Sequence, residues 1–177
     1  MTQRTSEQWW SRVKTSRALL HHWLNDQYRG EATAAERIDA LRHRFATPGS
    51  RADRVLRVIA SQERRHAAWV AGLLRARGLS VAIDDVPSRY WEATLGGITD
   101  LETGAAVGAH AEKMRLERIE VIARDTSAPS DIRDVFARIL PQERFHERAF
   151  RSLSTTAALR ATSAAHAQGR NALGLVP

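Results

Sequence analysis

A five-residue motif, Gln-Glu-Arg-x-His, occurs twice in this chain, and this repetition restricts the fold more than any other sequence feature. The two copies occupy residues 62–66 and 142–146. Within each copy the Glu and the His are three residues apart, which puts both side chains on one face of a helix. Two such helices predict a helical bundle in which each offers a carboxylate and an imidazole to a shared interior.

The repeat extends beyond the motif. Residues 55–66 align with residues 135–146 without a gap, and apolar positions match at Val55/Val135, Leu56/Phe136, Ile59/Ile139 and Ala60/Leu140. One glutamate upstream of each copy, Glu31 for the first and Glu112 for the second, keeps nearly the same spacing to its motif. We therefore expect two similar helix pairs related by a pseudo-twofold axis.

Helical periodicity covers most of the chain, and strand patterns are nearly absent. The predicted helices are 6–17 (separate from the next or continuous with it), 19–45, 51–77, 100–125, 131–153 and 155–168. Ser50 is a candidate N-cap, and the stretch 127–130 should end one helix and supply the N-cap of the next. Gly78 is a candidate helix end, and Pro141 should bend the helix that contains it. We expect residues 79–99 to form a crossover with a short helix at 88–95, and residues 171–177 to lack clear structure.

The apolar faces of these helices select the acidic residues that point inward. Glu63 and Glu143 are each centred on an apolar stripe, and Glu31 shares its face with apolar residues. Glu112 has a face of small and apolar residues, whereas Glu117 falls among basic ones. An ionised carboxylate in a core is unfavourable unless it is paired or binds a metal.

These patterns predict a two-metal site with six ligands: Glu31, Glu63, His66, Glu112, Glu143 and His146. The alternative is that the inward Glu and His side chains form buried ion pairs with arginines. Carboxylate and imidazole donors without sulfur suit iron or manganese. The histidines outside the pattern, which are His21, His22, His43, His110 and His166, are expected at the surface or in packing roles.

The order and spacing of these residues resemble the rubrerythrin-like di-iron domains of the ferritin-like superfamily over about residues 18–153. The resemblance rests on Gly30 and Glu31, and on residues 135–139 followed by Glu143 and His146. It implies an all-α, ferritin-like four-helix bundle in a single domain, residues 1–177, with extra helices at both ends. It also implies two iron ions bridged by Glu63 and Glu143, with Fe/Mn or Mn/Mn pairs as alternatives.

The chain departs from the rubrerythrin pattern in two ways. Ala109 stands where a further glutamate is usual. The family's peroxide-driven ligand switching is therefore not expected, whereas an open coordination position beside the metals is expected. The chain has no cysteine, so it cannot hold the cysteine-ligated rubredoxin iron that serves as electron donor. Electrons would have to come from an external donor or from the substrate.

Three functions compete on these grounds. The first is a di-iron oxidoreductase that uses O2 or peroxide, oxidising a small organic substrate. The second is a ferroxidase or iron-handling protein with Fe(II) as substrate. The third is an RNA-associated hydroxylase or a nucleic-acid-binding module.

The formal net charge is +7. This charge favours an acidic partner such as nucleic acid, an anionic membrane or an acidic carrier protein, although a solvated basic surface is the alternative. No apolar stretch has the length of a membrane span, and the first ten residues lack the apolar core of a signal peptide. We therefore expect a cytoplasmic protein, and a homo-oligomer with a dimer favoured.

Overall fold

A computed structural model describes residues 5–82 and 89–172. Over these ranges the chain forms seven α-helices, one 3₁₀-helix and no strand. The α-helices are α1 (Ser6–Thr15), α2 (Arg17–Phe45), α3 (Arg51–Arg75), α4 (Arg89–Thr94), α5 (Leu101–Arg124), α6 (Ser130–Leu153) and α7 (Thr156–Ala172), and the 3₁₀-helix is Leu95–Gly97. The predicted all-α class is confirmed.

Four long helices build the bundle in two pairs. Helix α2 packs along α3, and α5 packs along α6, while α3 against α6 and α2 against α5 join the pairs. The connection from α3 to α5 carries α4, which packs on α7. The predicted crossover therefore contains its short helix, but residues 83–88 of the connection and residues 173–177 of the tail lie outside the described residues.

Local chemistry sets most helix ends. The Ser50 hydroxyl accepts a hydrogen bond from the backbone N–H of Asp53 at 3.1 Å and begins α3, as predicted. After α3, Gly78 has a φ of 70°, a conformation in which glycine is favoured. The stretch 127–130, predicted to supply the next N-cap, contains the cap residue of α6: this residue is Pro129, and Ser130 is the first helical residue. Proline suits a helix start because its φ is fixed and its missing N–H would have had no helical partner.

Helix α1 is separate from α2. Ser16 has an extended conformation between them, and its hydroxyl caps α2. The Trp10 indole N–H then donates to the Asp125 carboxylate at 2.8 Å, which fastens α1 to the end of α5. Trp10 also packs edge-on against Trp23, with ring centroids 5.3 Å apart.

The interior of the bundle is layered. One apolar cluster includes Leu24, Val70, Ile119 and Ile139, and a second includes Ile38, Leu56, Ala109 and Ala149. Each of the four long helices contributes to both clusters, and its predicted metal ligand lies between the two contributions. The core is therefore apolar at both ends and polar in the middle.

No helix in the described part of the chain is both long enough and apolar enough to cross a membrane.

Candidate metal centre

The six predicted ligands meet in this middle layer. Helix α2 supplies Glu31, α5 supplies Glu112, and α3 and α6 each supply a Glu and a His from the repeated motif. Glu112 is 4% exposed, and the other five side chains are completely buried. The i,i+3 spacing puts each Glu and its His on the same helix face, so the bundle brings both pairs to the same depth.

The ligand atoms form two overlapping groups, in each of which all atoms lie within 4.8 Å of one another. The first group is Glu31, Glu63, His66 and Glu143, and the second is Glu63, Glu112, Glu143 and His146. Glu63 and Glu143 belong to both groups. Each group therefore has one glutamate and one histidine of its own and shares two glutamates, which is the pseudo-twofold arrangement that the sequence repeat predicts.

Both imidazoles turn Nδ1 towards the carboxylates. Nδ1 of His66 lies 3.4 Å from Oε1 of Glu143 and 3.6 Å from Oε2 of Glu31. Nδ1 of His146 lies 3.0 Å from Oε2 of Glu143 and 3.1 Å from Oε1 of Glu63. Nδ1 is therefore the nitrogen of each histidine that faces the carboxylates of the cluster, and Nε2 faces away from them.

The outward nitrogen of each histidine meets a glutamine from the opposite copy of the motif. Oε1 of Gln62 lies 2.7 Å from Nε2 of His146, and Oε1 of Gln142 lies 3.3 Å from Nε2 of His66. An amide oxygen only accepts, so both Nε2 atoms carry hydrogen and donate. This contact orients the ring and leaves Nδ1 as the donor atom for a cation.

One arginine enters the carboxylate cluster. The Arg115 guanidinium lies 3.0 Å from Glu143 and 3.4 Å from Glu63 at its nearest nitrogens, and it also contacts Glu31. Its distance to Glu112 is 3.9 Å. The alternative of buried ion pairs with arginine is therefore present in part, with one guanidinium serving four carboxylates.

The carboxylates differ strongly in their proton affinity. Burial raises the pKa of Glu63 to about 7, and burial together with Glu143 holds the pKa of Glu112 well above its ordinary value. Burial also acts on Glu31, but Arg115 and His66 outweigh it and lower the pKa to about 2. The cluster thus has more acidic groups than its own cations can keep ionised.

Several buried polar atoms of the cluster make no well-aligned hydrogen bond, although they lie in the ion-pair contacts described above. They are Oε2 of Glu31, Oε1 of Glu63, Nδ1 of His66, Oε2 of Glu112 and Oε1 of Glu143, together with one Arg115 nitrogen. Buried polar atoms in folded proteins nearly always have partners. Cations held by the two groups would satisfy these oxygens and the nitrogen of His66. Oxygen and imidazole donors also match iron or manganese, so the residues present fit two metal ions.

Sequence reasoning missed Arg115 and the two glutamines. Arg115 follows Glu112 by three residues, so helical spacing already put it on the inward face. Gln62 and Gln142 were visible as part of the repeated motif, but their partners depend on how α3 docks against α6. Ala109, which marks the predicted open coordination position, is fully buried in the second apolar cluster, and an open position there stays a prediction.

The other histidines belong to neither donor group. His110 and His166 stack with ring centroids 4.6 Å apart, and the Tyr90 hydroxyl lies 2.9 Å from Nδ1 of His166. These contacts pack α4, α5 and α7 together. The predicted packing role is confirmed for these two.

A cavity of about 290 Å³ lies beside the metal-ligand layer. Gly108, which precedes Glu112 by one turn of α5, and Phe150, which follows His146 by one turn of α6, both line it. One α-helical turn advances about 5.4 Å along the helix axis. The cavity therefore reaches to within a turn of two predicted ligands.

Comparison with known proteins agrees with this geometry. A family model described as Rubrerythrin matches residues 23–154, a range that includes all six predicted ligands. Searches of curated proteins and of solved structures found no match. Because the family model spans most of the chain and the four long helices of the bundle lie almost wholly inside it, the chain belongs to the rubrerythrin family.

Proposed function

We propose that this protein is a non-haem di-iron oxidoreductase that uses O2 or peroxide to oxidise a small organic substrate. The observation that carries the proposal is the membership of Glu63 and Glu143 in both donor groups. A carboxylate has two oxygens, so a glutamate in both groups can contact two cations at once. Two iron ions bound there would supply two electrons to O2 or peroxide.

The chain's own residues have separate tasks in this proposal. The six ligands hold the ions, with Glu63 and Glu143 as bridges. Gln62 and Gln142 keep the imidazoles oriented through Nε2. The apolar clusters above and below the ligand layer exclude water, which strengthens electrostatic interactions inside the site.

The role of Arg115 follows from its charge and its exposure. Its guanidinium offsets part of the carboxylate charge, and its side chain is 19% exposed, so it has an outward path. Binding of dications would repel it from the cluster. A small cavity of about 70 Å³ borders Arg115 and offers space for such a movement.

The cavity beside the ligands favours an organic substrate over Fe(II) as the substrate. A ferroxidase needs a route for a hydrated cation, which acidic and polar groups would line. The residues described along this cavity include two arginines and no acidic side chain, and most of the others are apolar. Such a lining repels Fe(II) and accepts an uncharged or anionic organic molecule.

The nucleic-acid alternative has less support. Many surface arginines are already engaged by acidic side chains, as in the pairs Arg77–Asp131 and Arg144–Glu120. Base stacking by single-stranded nucleic acid uses aromatic side chains arranged along a basic groove. Binding to RNA that weakens steeply with salt would support this alternative.

Metal content and oxygen chemistry test the proposal directly. The protein is purified from iron-replete medium and analysed for metals, then stripped, loaded anaerobically with Fe(II) and exposed to O2. We expect two ions per chain, followed by rapid oxidation of the iron and by continued O2 uptake when a reductant is present. Fewer than two ions per chain would overturn the two-metal assignment, and accumulation of ferric mineral would favour the ferroxidase alternative.

A further inference from the structure

The cavity beside the ligand layer has a distinctive lining. Its walls come from α2, from α5 and from α4 with the residues that follow it, including Leu95 and Ile98, which together are called the α4 segment; Phe150 is contributed by α6. Its volume of about 290 Å³ is near the lower end for small-molecule sites, which span about 300–1,000 Å³. A cavity of this size takes a compact organic molecule and is too small for a macromolecular segment.

Glycines allow the helices to approach closely along this cavity. A Cβ atom added at Gly108 would lie 2.8 Å from the Phe150 ring, and one added at Gly104 would lie 2.1 Å from Leu41. Both distances are below a normal carbon–carbon contact. The apolar wall is thus built from ring and aliphatic side chains pressed against bare backbone.

Arg37 brings a cation to this apolar wall. Its guanidinium lies over the Trp91 ring, 4.3 Å from the ring centroid, and burial lowers its pKa to about 10, so it is still charged at neutral pH. The nearest acidic influence is the exposed Glu36, its neighbour in sequence. Within the described part of the chain, Arg37 has no hydrogen bond or ion pair with a carboxylate. Its N–H donors are therefore left to the cavity.

A second arginine reinforces the positive charge. Arg44 follows Arg37 by two turns of α2 and lines the same cavity. Its guanidinium lies 4.9 Å from the centroid of the Phe45 ring, and it too lacks a carboxylate partner among the described residues. The described lining thus holds two cations and no acidic side chain, which gives the cavity a preference for an anion.

We propose that this cavity binds an organic carboxylic acid, with its carboxylate at Arg37 and its apolar body between α2, α5 and the α4 segment. A guanidinium presents parallel N–H donors that match the two oxygens of a carboxylate. The guanidinium lies over the Trp91 ring, and this cation–π contact does not require its N–H donors. Arg44 adds attraction at the rim.

The position of the cavity connects this ligand to the metal centre. Gly108 and Phe150 each lie one helical turn from a predicted metal ligand. An acid held at Arg37 would lie with its apolar body near this part of the wall. The identification of that acid as the oxidised substrate rests on the proposed function, whereas the binding itself does not.

Three ligands with the same alkyl chain length and different head groups test the assignment of the cavity as a carboxylate site. Octanoate, octanol and octylamine are titrated calorimetrically into the full-length protein, both with its metals and after chelator treatment. We expect octanoate to bind about tenfold more tightly than octanol, because it adds a charge-assisted contact, and octylamine to bind most weakly. Equal affinities for octanoate and octanol, or no binding by either, would overturn the proposal.

Three variants distinguish the contribution of the arginine charges to ligand affinity from that of the cavity volume. Arg37→Met should reduce octanoate affinity to the level of octanol and leave octanol unchanged. Ala40→Phe, at an exposed position in the lining, should weaken both by filling the cavity. Arg44→Met, also exposed, should lower octanoate affinity by a smaller factor. An octanoate preference that survives both arginine substitutions would refute the assignment.

Matched controls keep this result distinct from the metal proposal. Arg75→Met removes an exposed arginine outside the cavity and should change neither affinity. Metal content is measured on the same samples. Octanoate binding by a protein that does not load two metals per chain would support the carboxylate site and contradict the di-iron function. Loading of two metals without a preference for octanoate would contradict the carboxylate site and leave the di-iron function supported.

Discussion

Oε1 of Gln62 lies 2.7 Å from Nε2 of His146, so one copy of the repeated motif directly contacts the other. The reverse contact, from Gln142 to His66, is 3.3 Å long. Each glutamine stands next in sequence to a glutamate that belongs to both donor groups, and it supports the histidine of the opposite half. The two donor groups are therefore built together, and a change in one of these helices reaches the donor residues of the other.

Replacing Gln62 by leucine should weaken metal binding. Gln62→Leu keeps the approximate size of the side chain but removes the acceptor that orients His146, and loss of such a partner lowers metal affinity about 10–100-fold. Competition titration of Co(II) against a chelator measures the effect. Gln168→Leu, at an exposed position of α7, is the control and should bind as the native protein does. Unchanged affinity in Gln62→Leu would show that the contact does not orient the ligand.

Removal of a bridging glutamate should abolish two-metal loading. Glu63→Ala or Glu143→Ala deletes a donor from both groups at once, so neither group keeps its four donors. Metal analysis after anaerobic Fe(II) loading gives the number of ions per chain. Glu117→Ala is the control, because Glu117 pairs with Arg170 and belongs to neither group. Loss of metal from Glu117→Ala would contradict the choice of Glu112 on α5.

Removal of Arg115 should destabilise the metal-free protein selectively. Arg115→Met leaves the buried carboxylates without their cation, and breaking a buried ion pair in this way costs about 3–5 kcal/mol. Bound metal takes over the same charge, so loading should recover most of this loss. Urea unfolding with and without metal measures both values. Arg144→Met, which breaks an exposed pair with Glu120, should cost at most about 1 kcal/mol in either state.

The attachment of α1 should depend on pH through Asp125. Hydrogen bonds from Lys14 and Ser127 hold the pKa of Asp125 well below its ordinary value. The ionised form therefore stabilises the folded state at neutral pH, and this contribution is lost as the pH falls below about 4 towards the folded-state pKa. Asp125→Asn should lower stability at pH 7 by about 1–2 kcal/mol.

Urea unfolding curves between pH 7 and pH 3, monitored by tryptophan fluorescence, check this pH dependence of stability. The difference between Asp125→Asn and the native protein should narrow as the solution becomes acidic. Asp134→Asn is the control, since that carboxylate is 71% exposed and has only a long contact with Arg133. A difference that stays constant over the pH range would assign the loss to packing and not to charge.

The fold and the six clustered residues could be predicted from the sequence because both follow from helical spacing. An apolar stripe interrupted by a glutamate identifies an inward carboxylate without any knowledge of its neighbours. The cross-contacts of Gln62 and Gln142 could not be predicted, since they depend on the rotation and depth of α3 against α6. Arg115 was obscured for another reason: arginine is usually exposed, so its position on the inward face of α5 did not by itself indicate a place in the cluster.

The cavity also required the structure. It depends on the packing of α4 on α7 and on the contact of the Arg37 guanidinium with the Trp91 ring, and neither follows from periodicity. The stretch 127–130 could be predicted to hold the cap of α6, but the sequence did not indicate which of its residues is the cap. A serine at a helix start commonly caps through its hydroxyl, but here the preceding Pro129 takes that position.

The polar layer between the two apolar clusters has a consequence for how long the protein lasts in a cell. A continuous apolar core unfolds as one cooperative unit. In a core divided by a layer of buried carboxylates, local unfolding is easiest at that layer. Bound ions would stabilise this polar layer by linking all four long helices. Chains without metal would then open more often and be degraded sooner by proteases.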